Sequence, residues 1–335
     1  MKIVGFELEE WERGAFDQLS DGHSLLLTRR PVAKGLNSRY RDADVICSFI
    51  YSDLSAASLK QFTGLKLIAT RSTGIDHIDT EYCGKNNIAI ANVPTYGQNT
   101  VAEHTFALIQ ALSRHIPEAV QRTRSGSFSQ KGLQGFDLQG KTLGVIGTGD
   151  IGRNVIRIAN GYGMRVLAFD VKPDKKAASE MGFEYADMDK VLSDSDVVTL
   201  HVPGIEKTRD MISGPQFKKM KRGALLINTA RGFVVNIQAL LRALSEGKLA
   251  GAGLDVLPEE PVIREEAELL RSAYTGKGDL QVLLADHMLT RLSNVIVTPH
   301  IAFNTREAVQ RLIDTSVENI VAYIKGEPQN LVSGG

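Results

Sequence analysis

The stretch KTLGVIGTGDIGRNV, residues 141–155, limits the possible folds of this chain more than any other segment. It runs from an apolar strand, Thr142 to Ile146, into Gly147, Gly149 and Gly152 in GxGxxG spacing, and then into a helix. In that setting the first glycine makes the tight turn, the second lets backbone approach a pyrophosphate, and the third packs helix on strand. Free N–H groups at the start of the helix attract phosphates. GxGxxG alone is a weak signal, but here Asp170 follows Gly152 by eighteen residues, at the end of the next strand, MRVLAFD. An acidic side chain there accepts hydrogen bonds from a ribose diol. NAD is expected over NADP, because Asp170 repels a 2′-phosphate and no arginine follows it directly; Lys172, two positions on, is the one contrary feature.

The rest of the chain fits a fold that carries such a motif. Short apolar strands are predicted at Lys2 to Phe6, Ser24 to Thr28, Val45 to Ile50, Leu65 to Thr70 and Ile88 to Val93, with helix-like SAASLKQF and DTEYCGKNN among the later ones. After one long apolar helix, Val101 to about Ala119, and a polar loop, RTRSGSFSQKGLQGFDLQG, a second series begins. Its strands are Thr142 to Ile146, Arg165 to Phe169, Val197 to His201, Ala224 to Asn228, Gly251 to Val256 and Asn294 to Val297. Strand and helix in alternation imply parallel sheets covered on both faces. An excursion of roughly thirty helix-leaning residues, within 262–292, interrupts the last of these units and is longer than compact connections usually are. A final helix follows, with Asn304 and Glu307 spaced as a capping box.

Composition removes other classes. A chain of 335 residues exceeds the usual size of one core. Lys plus Arg and Asp plus Glu are both 39, so no broad field invites nucleic acid or an anionic membrane. No apolar run approaches the roughly 18 residues of a membrane span. The N-terminus, MKIVGFELEEWERG, meets acidic residues early and reads as a first strand, not a signal peptide. Cys47 and Cys83 are too few for a disulfide framework and lack metal-ligand spacing, so no metal and a cytoplasmic location are expected.

In open parallel sheets ligands bind outside the carboxyl ends of the strands. After ALLINTA comes Arg231; after GAGLDV come Asp255, Glu259 and Glu260; after NVIVTP comes His300. A guanidinium grips a carboxylate through a planar fork and polarises the adjoining carbonyl. An imidazole titrates near neutrality and can give a proton to a nascent alkoxide or take it back. A carboxylate on its other nitrogen fixes the ring, and Glu260 is the residue expected there. This set suits hydride transfer to a 2-keto acid. Each residue has a plainer reading: a buried histidine on a carbonyl, a turn arginine, a surface glutamate. Their coincidence in one dinucleotide-binding chain favours chemistry. His104 and His115 on the long helix are expected to be structural, and His23, His77 and His287 to sit in polar loops or surface stretches.

TRSTGIDHID, NVPTYGQNTVAEH, GVIGTGDIG, LHVP, LINTARG, GAGLDVLPEEP and TPHIAFNT together resemble, in order and over nearly the whole chain, the D-isomer-specific 2-hydroxyacid dehydrogenases. TPHIAFNT, the tyrosine of NVPTYG and the long insertion look most like the members acting on D-lactate. The resemblance implies Arg231 as substrate-orienting arginine, Glu260 as partner carboxylate and His300 as acid/base. It implies that backbone N–H groups of Thr73 and Gly74 hold the substrate carboxylate, with Tyr96 closing the pocket. It places Asp150 and Ile151 at the pyrophosphate, Asp170 at the ribose, Val202, Pro203 and Thr208 on the adenine side, and Thr229, Ala230 and Asp255 near the nicotinamide. The fold expected is α/β, two Rossmann-like or flavodoxin-like domains with an active-site cleft between them. A discontinuous catalytic domain, 1–100 with 301–335, would flank an NAD-binding domain, 101–300, and the assembly would be a homodimer. The alternatives are a relative acting on glyoxylate, hydroxypyruvate, 3-phosphoglycerate or a branched 2-keto acid, or an NAD-sensing binding protein like the C-terminal-binding corepressors, which the lack of a long disordered tail makes the weaker reading. A phosphorylated substrate would want basic residues near Arg71 or Tyr96, and only Arg71 itself is present.

Overall fold

The computed structural model describes residues 1–258 and 287–332. Glu259, Glu260 and most of the 262–292 excursion lie outside the described residues. The chain divides into two units, Met1–Gly97 with Asn304–Gly335, and Gln98–Phe303.

The first unit holds β1 (Lys2–Gly5), β2 (Ser24–Leu27), β3 (Val45–Ser48), β4 (Leu67–Thr70) and β5 (Ala89–Ala91), with short helices α1 (Ala56–Leu59) and α2 (Thr80–Lys85). The strands are parallel in the order β2-β1-β3-β4-β5, the flavodoxin-like arrangement. Every residue of β3 and β4 is buried, which explains their unbroken apolar runs. Alternate residues feed different cores: Val4, Ile46 and Ile68 enter one, and Ile3, Val45 and Leu67 the other.

The second unit holds β6 (Thr142–Ile146), β7 (Arg165–Phe169), β8 (Glu184–Tyr185), β9 (Val197–Leu200), β10 (Ala224–Asn228), β11 (Leu249–Leu254) and β12 (Val295–Val297). Its helices include α3 (Gln98–Ser113), α4 (Ile116–Arg124), α5 (Asp150–Gly161), α6 (Lys175–Met181), α7 (Met188–Asp194), α8 (Gly214–Lys219) and α9 (Ile237–Ser245). The sheet is parallel throughout, in the order β12-β11-β10-β9-β6-β7-β8. The strand order reverses between β6 and β9, and such a switch point is where open sheets of this type bind nucleotides.

Two expectations need correction. The single helix predicted from Val101 to Ala119 is two, because His115 adopts a left-handed conformation (φ 51°) and Pro117 opens α4. A proline lacks the N–H that a continuing helix needs, and its ring would strike the carbonyl four residues back. The last helix, α10 (Arg306–Ile324), is capped by Thr305 instead of Asn304: the Thr305 hydroxyl accepts from the Ala308 N–H at 3.2 Å.

α10 packs within the first unit, on the short 3-10 segment Glu10–Ser20 and β4. Buried Asn319 donates to the Asn92 carbonyl and accepts from Asn330, both at 2.8 Å. The tail beyond it bridges antiparallel to β5, with Val332 N–H on the Ile90 carbonyl at 2.8 Å. Among the described residues no helix is long and apolar enough to cross a membrane.

Candidate active site

The glycine loop is built as its spacing predicts. Gly147 has φ 96°, and a Cβ there would lie 2.4 Å from the His201 carbonyl oxygen. A Cβ on Gly152 would lie 2.1 Å from the Gly147 oxygen, so α5 rests directly on the turn. Gly149 faces open space, which leaves its backbone approachable. Asp150 and Ile151 form the first turn of α5, where backbone N–H groups lack partners within the helix. Beside them an open hollow of about 350 Å³ is lined by Gln98, Asn99, Asp150, Arg153, Asn154 and Arg157. These features fit a pyrophosphate.

At the end of β7, Asp170 accepts from the Thr148 N–H at 2.7 Å, the Thr148 hydroxyl at 2.9 Å and the Lys172 N–H at 2.9 Å. Burial pushes its pKa up, but the donors from Thr148 and Lys172 outweigh burial and hold the carboxyl below its usual range. It is therefore an anion at neutral pH. Val202 and Pro203 follow β9. The loop closes on Thr208, whose hydroxyl lies 2.7 Å from the Pro203 carbonyl, 2.8 Å from that of Ile205 and 3.1 Å from the Ile205 N–H.

Three adjacent strands deliver the candidate chemistry. At the end of β10, buried Asn228 donates to the Arg231 carbonyl and accepts from the Ala230 N–H, both at 3.0 Å. The Thr229 hydroxyl meets that of Thr105 at 3.1 Å. Arg231 Nη1 donates to the Ala230 carbonyl at 2.9 Å. Two glycines make room for this turn: a Cβ on Gly204 would lie 2.6 Å from Arg231 Cγ, and one on Gly232 would lie 2.1 Å from the Leu257 carbonyl carbon. The sequence reading missed Asn228, Gly204 and Gly232; HVPG and ARG were the available signals.

Asp255 ends β11 with 1% of its surface exposed. Its Oδ1 accepts from the Thr298 hydroxyl at 2.6 Å and the Ile301 N–H at 2.9 Å, and its Oδ2 from the Ala302 N–H at 2.8 Å. Its backbone carbonyl accepts from the His300 N–H at 2.9 Å. One buried side chain thus grips the segment on both sides of His300. His300 itself has φ 54°, a left-handed conformation uncommon outside glycine that costs about 1–3 kcal/mol and needs surrounding structure to hold it. Its ring sits edge-on to Phe303, centroids 6.3 Å apart. His104 Nε2 lies 3.1 Å from the Thr298 hydroxyl and 3.5 Å from Asp255 Oδ1, behind the same loop.

Within the first unit, several polar groups of the loop after β4 are paired. Thr73 Oγ1 donates to the Val93 carbonyl at 2.6 Å, Asn92 Nδ2 to the Thr73 carbonyl at 2.8 Å, and Ser72 Oγ to the Gly74 carbonyl at 2.7 Å. Among the described residues, the Thr73 and Gly74 N–H groups find no acceptor. Tyr96 is half-buried, and its carbonyl accepts from Arg311 Nε at 2.6 Å.

Two other histidines are unsuited to acid catalysis near neutrality. Burial lowers His201 to about 3, with Nε2 2.9 Å from Thr199 Oγ1. Burial likewise lowers His77 to about 4; it is half-buried, deeper than the surface loop expected of it. Both fold neutral and would bind a proton near pH 6.5 once unfolded. Their stabilising contribution is complete above that pH and is lost as the pH falls toward the folded values. Stability is therefore expected to fall as the pH drops from about 6 toward 4, with both histidines contributing. Urea unfolding of His201→Gln should show a shallower slope than the parent over that window.

Comparison with known proteins places this geometry among others. Residues 106–302 match the family model described as D-isomer specific 2-hydroxyacid dehydrogenase, NAD binding domain. D-lactate dehydrogenase of Escherichia coli is 34% identical, covering 99% of this chain and 100% of its own length. Glyoxylate reductase of Korarchaeum cryptofilum is 36% identical over 90% of this chain and 86% of its own. The crystal structure of D-lactate dehydrogenase from Aquifex aeolicus, complexed with NAD and lactic acid, superposes with a TM-score of 0.86 at 35% identity over 99% of both chains.

Proposed function

This chain belongs to the D-isomer-specific 2-hydroxyacid dehydrogenases, an NAD-binding oxidoreductase family, and from that premise we propose that it interconverts D-lactate and pyruvate. The observation that carries the reading is the delivery of Arg231, Asp255 and His300 by three neighbouring strands of the sheet that also carries the glycine loop and Asp170. Bound NADH supplies the hydride that adds to the carbonyl carbon. Arg231 orients the 2-keto acid through its carboxylate and polarises the carbonyl. His300 gives its proton to the oxygen as the C–O bond becomes single, and takes it back in the oxidation. Glu260 is the proposed carboxylate partner of His300, and Asp255 holds the loop that presents it. Thr73 and Gly74 N–H groups receive the substrate carboxylate, and Tyr96 closes over it.

The cofactor roles follow the same reading. Gly147, Gly149, Asp150, Ile151 and Gly152 receive the pyrophosphate, Asp170 the adenosine ribose, and Val202, Pro203 and Thr208 the adenine side. Thr229, Ala230 and Asp255 would lie near the nicotinamide.

Pyruvate is favoured over a phosphorylated substrate because Arg71, the one basic residue expected nearby, is 3% exposed and committed to the Phe6 and Glu7 carbonyls at 3.0 and 2.6 Å. Among relatives, the names divide among lactate, glyoxylate and glycerate. The deciding experiment is NADH oxidation against pyruvate, glyoxylate, hydroxypyruvate, 2-ketoisocaproate and 3-phosphohydroxypyruvate. The highest kcat/KM is expected for pyruvate; a tenfold preference for another acid would reassign the substrate, and no turnover with any would favour an NAD-sensing binding role.

The proposed assembly is a homodimer. α4 buries none of its residues, and Ile116 and Val120 on it, with Phe128 beyond, are exposed; a second copy is the proposed cover, and sedimentation reads it directly. Cys47 and Cys83 are free and buried, which accords with the proposed cytoplasmic location.

A further inference from the structure

We infer that Tyr185 is a positioning residue for the adenosine end of the cofactor, acting through Thr148 to fix the carboxylate of Asp170 and so to sharpen the choice of NAD over NADP. The inference rests on the reading of Asp170 as the ribose partner. Its basis is a chain of hydrogen bonds whose direction is forced. Thr148 Oγ1 lies 2.9 Å from Asp170 Oδ2 and 2.8 Å from the Tyr185 hydroxyl. An ionised carboxylate only accepts, and a threonine hydroxyl has one proton to give. That proton therefore goes to Asp170, and Tyr185 must donate to Thr148. The tyrosine oxygen in turn accepts from the Asp174 N–H at 3.2 Å.

Three donors thus point the same way along the chain Asp174, Tyr185, Thr148, Asp170. Bonds in such a series polarise one another, and low-dielectric surroundings strengthen them. Thr148 is 4% exposed, and Tyr185 is held edge-on to Phe183, ring centroids 5.0 Å apart. A carboxylate offers about four acceptor sites. Two donors from Thr148 on Oδ2 and one from Lys172 on Oδ1 set its orientation and leave room on Oδ1 for one ribose hydroxyl.

The same tyrosine anchors the backbone of Asp174, and this has a second effect. The Asp174 carboxylate pairs with Arg153 at 2.9 Å and caps α6 through the Lys176 and Ala177 N–H groups, both at 3.1 Å. Arg153 also donates from Nε to the Thr148 carbonyl at 3.0 Å. A guanidinium on the first turns of α5, the natural place to seek a partner for a 2′-phosphate, is thereby committed elsewhere. Tyr185 supports both the anion that repels the extra phosphate and the pair that occupies the cation. No residue-spacing rule for dinucleotide sites points to β8, a strand of only two residues.

The test is steady-state kinetics with NADH and NADPH on the full chain, with thermal unfolding alongside. Tyr185→Phe and Thr148→Val are each expected to raise KM for NADH about 5- to 10-fold at unchanged kcat. Both should narrow the NADH-over-NADPH preference by a similar factor, while Thr148→Ser, which keeps the hydroxyl, restores it. Asp170→Ala is the control. If it leaves KM for NADH unchanged, the ribose reading fails and the inference falls with it. If Asp170→Ala raises KM and relaxes the preference but Tyr185→Phe and Thr148→Val do neither, the inference is overturned and the ribose reading stands. A Tyr185→Phe variant that loses kcat and melting temperature together, with the coenzyme ratio unmoved, also overturns it.

Discussion

Replacing His300 by alanine is expected to lower kcat for 2-keto acid reduction about 10³-fold while NADH affinity stays within about twofold, since a positioned general acid contributes roughly 10²- to 10⁴-fold. The separation follows from where the groups sit. The pyrophosphate and ribose features gather at the ends of β6 and β7, whereas His300 follows β12, an edge strand with three strands between it and β6. Alanine keeps the backbone N–H that binds the Asp255 carbonyl but has no special tolerance for φ 54°. Asparagine tolerates left-handed backbone better, so His300→Asn separates lost proton transfer from a relaxed loop. Both variants are expected to fail alike in turnover. Recovery of more than a tenth of the activity in the asparagine variant would assign His300 a backbone role instead. Fluorescence titration with NADH checks the other half, because loss of NADH affinity in step with turnover is the outcome of a purely structural histidine.

Asp255→Asn is expected to lower stability by about 2–3 kcal/mol and turnover about 10²-fold. An amide has the shape of the carboxylate but only one acceptor oxygen. If that oxygen takes the place of Oδ1, it keeps the Thr298 hydroxyl and the Ile301 N–H, but its NH₂ then meets the Ala302 N–H. The reverse orientation sets NH₂ against Ile301 N–H. Either way a buried donor loses its acceptor, at about 1–3 kcal/mol. The left-handed backbone at His300 then has less to hold it, and the imidazole loses its fixed place. Urea unfolding and steady-state kinetics on one preparation decide the matter. Stability lost with kcat unchanged under folding conditions would reduce Asp255 to a structural residue.

The parts of the fold that local patterning controls were legible in the sequence. β6, β7 and β10 match their predicted spans residue for residue because each is an apolar run bounded by charge or glycine, buried along most or all of its length. β8 escaped because two residues carry no period. The break between α3 and α4 escaped because apolar spacing continues across it, and only the left-handed His115 ahead of Pro117 marks the stop. The cap of α10 moved by one residue because Asn304 and Thr305 are both good caps, and chain geometry chooses between them.

In the site, residue types and strand ends pointed to Arg231 and His300, since each has a structural reading alone but their coincidence with a dinucleotide motif favours chemistry. What holds them was not legible. The Asp255 carboxylate and the space kept by Gly204 and Gly232 act on residues distant in sequence. Such contacts leave no periodicity. The Asp255 carboxylate in particular binds Thr298, Ile301 and Ala302, more than forty residues away along the chain.

The central claim is that this chain moves hydride from NADH to a 2-keto acid and sets one configuration at the new carbinol carbon. Chiral analysis of the lactate formed from pyruvate and NADH tests it most directly. The account predicts D-lactate, formed in step with NADH consumed and abolished by His300→Ala. L-lactate, a racemic product, or NADH oxidation that His300→Ala leaves intact would contradict it.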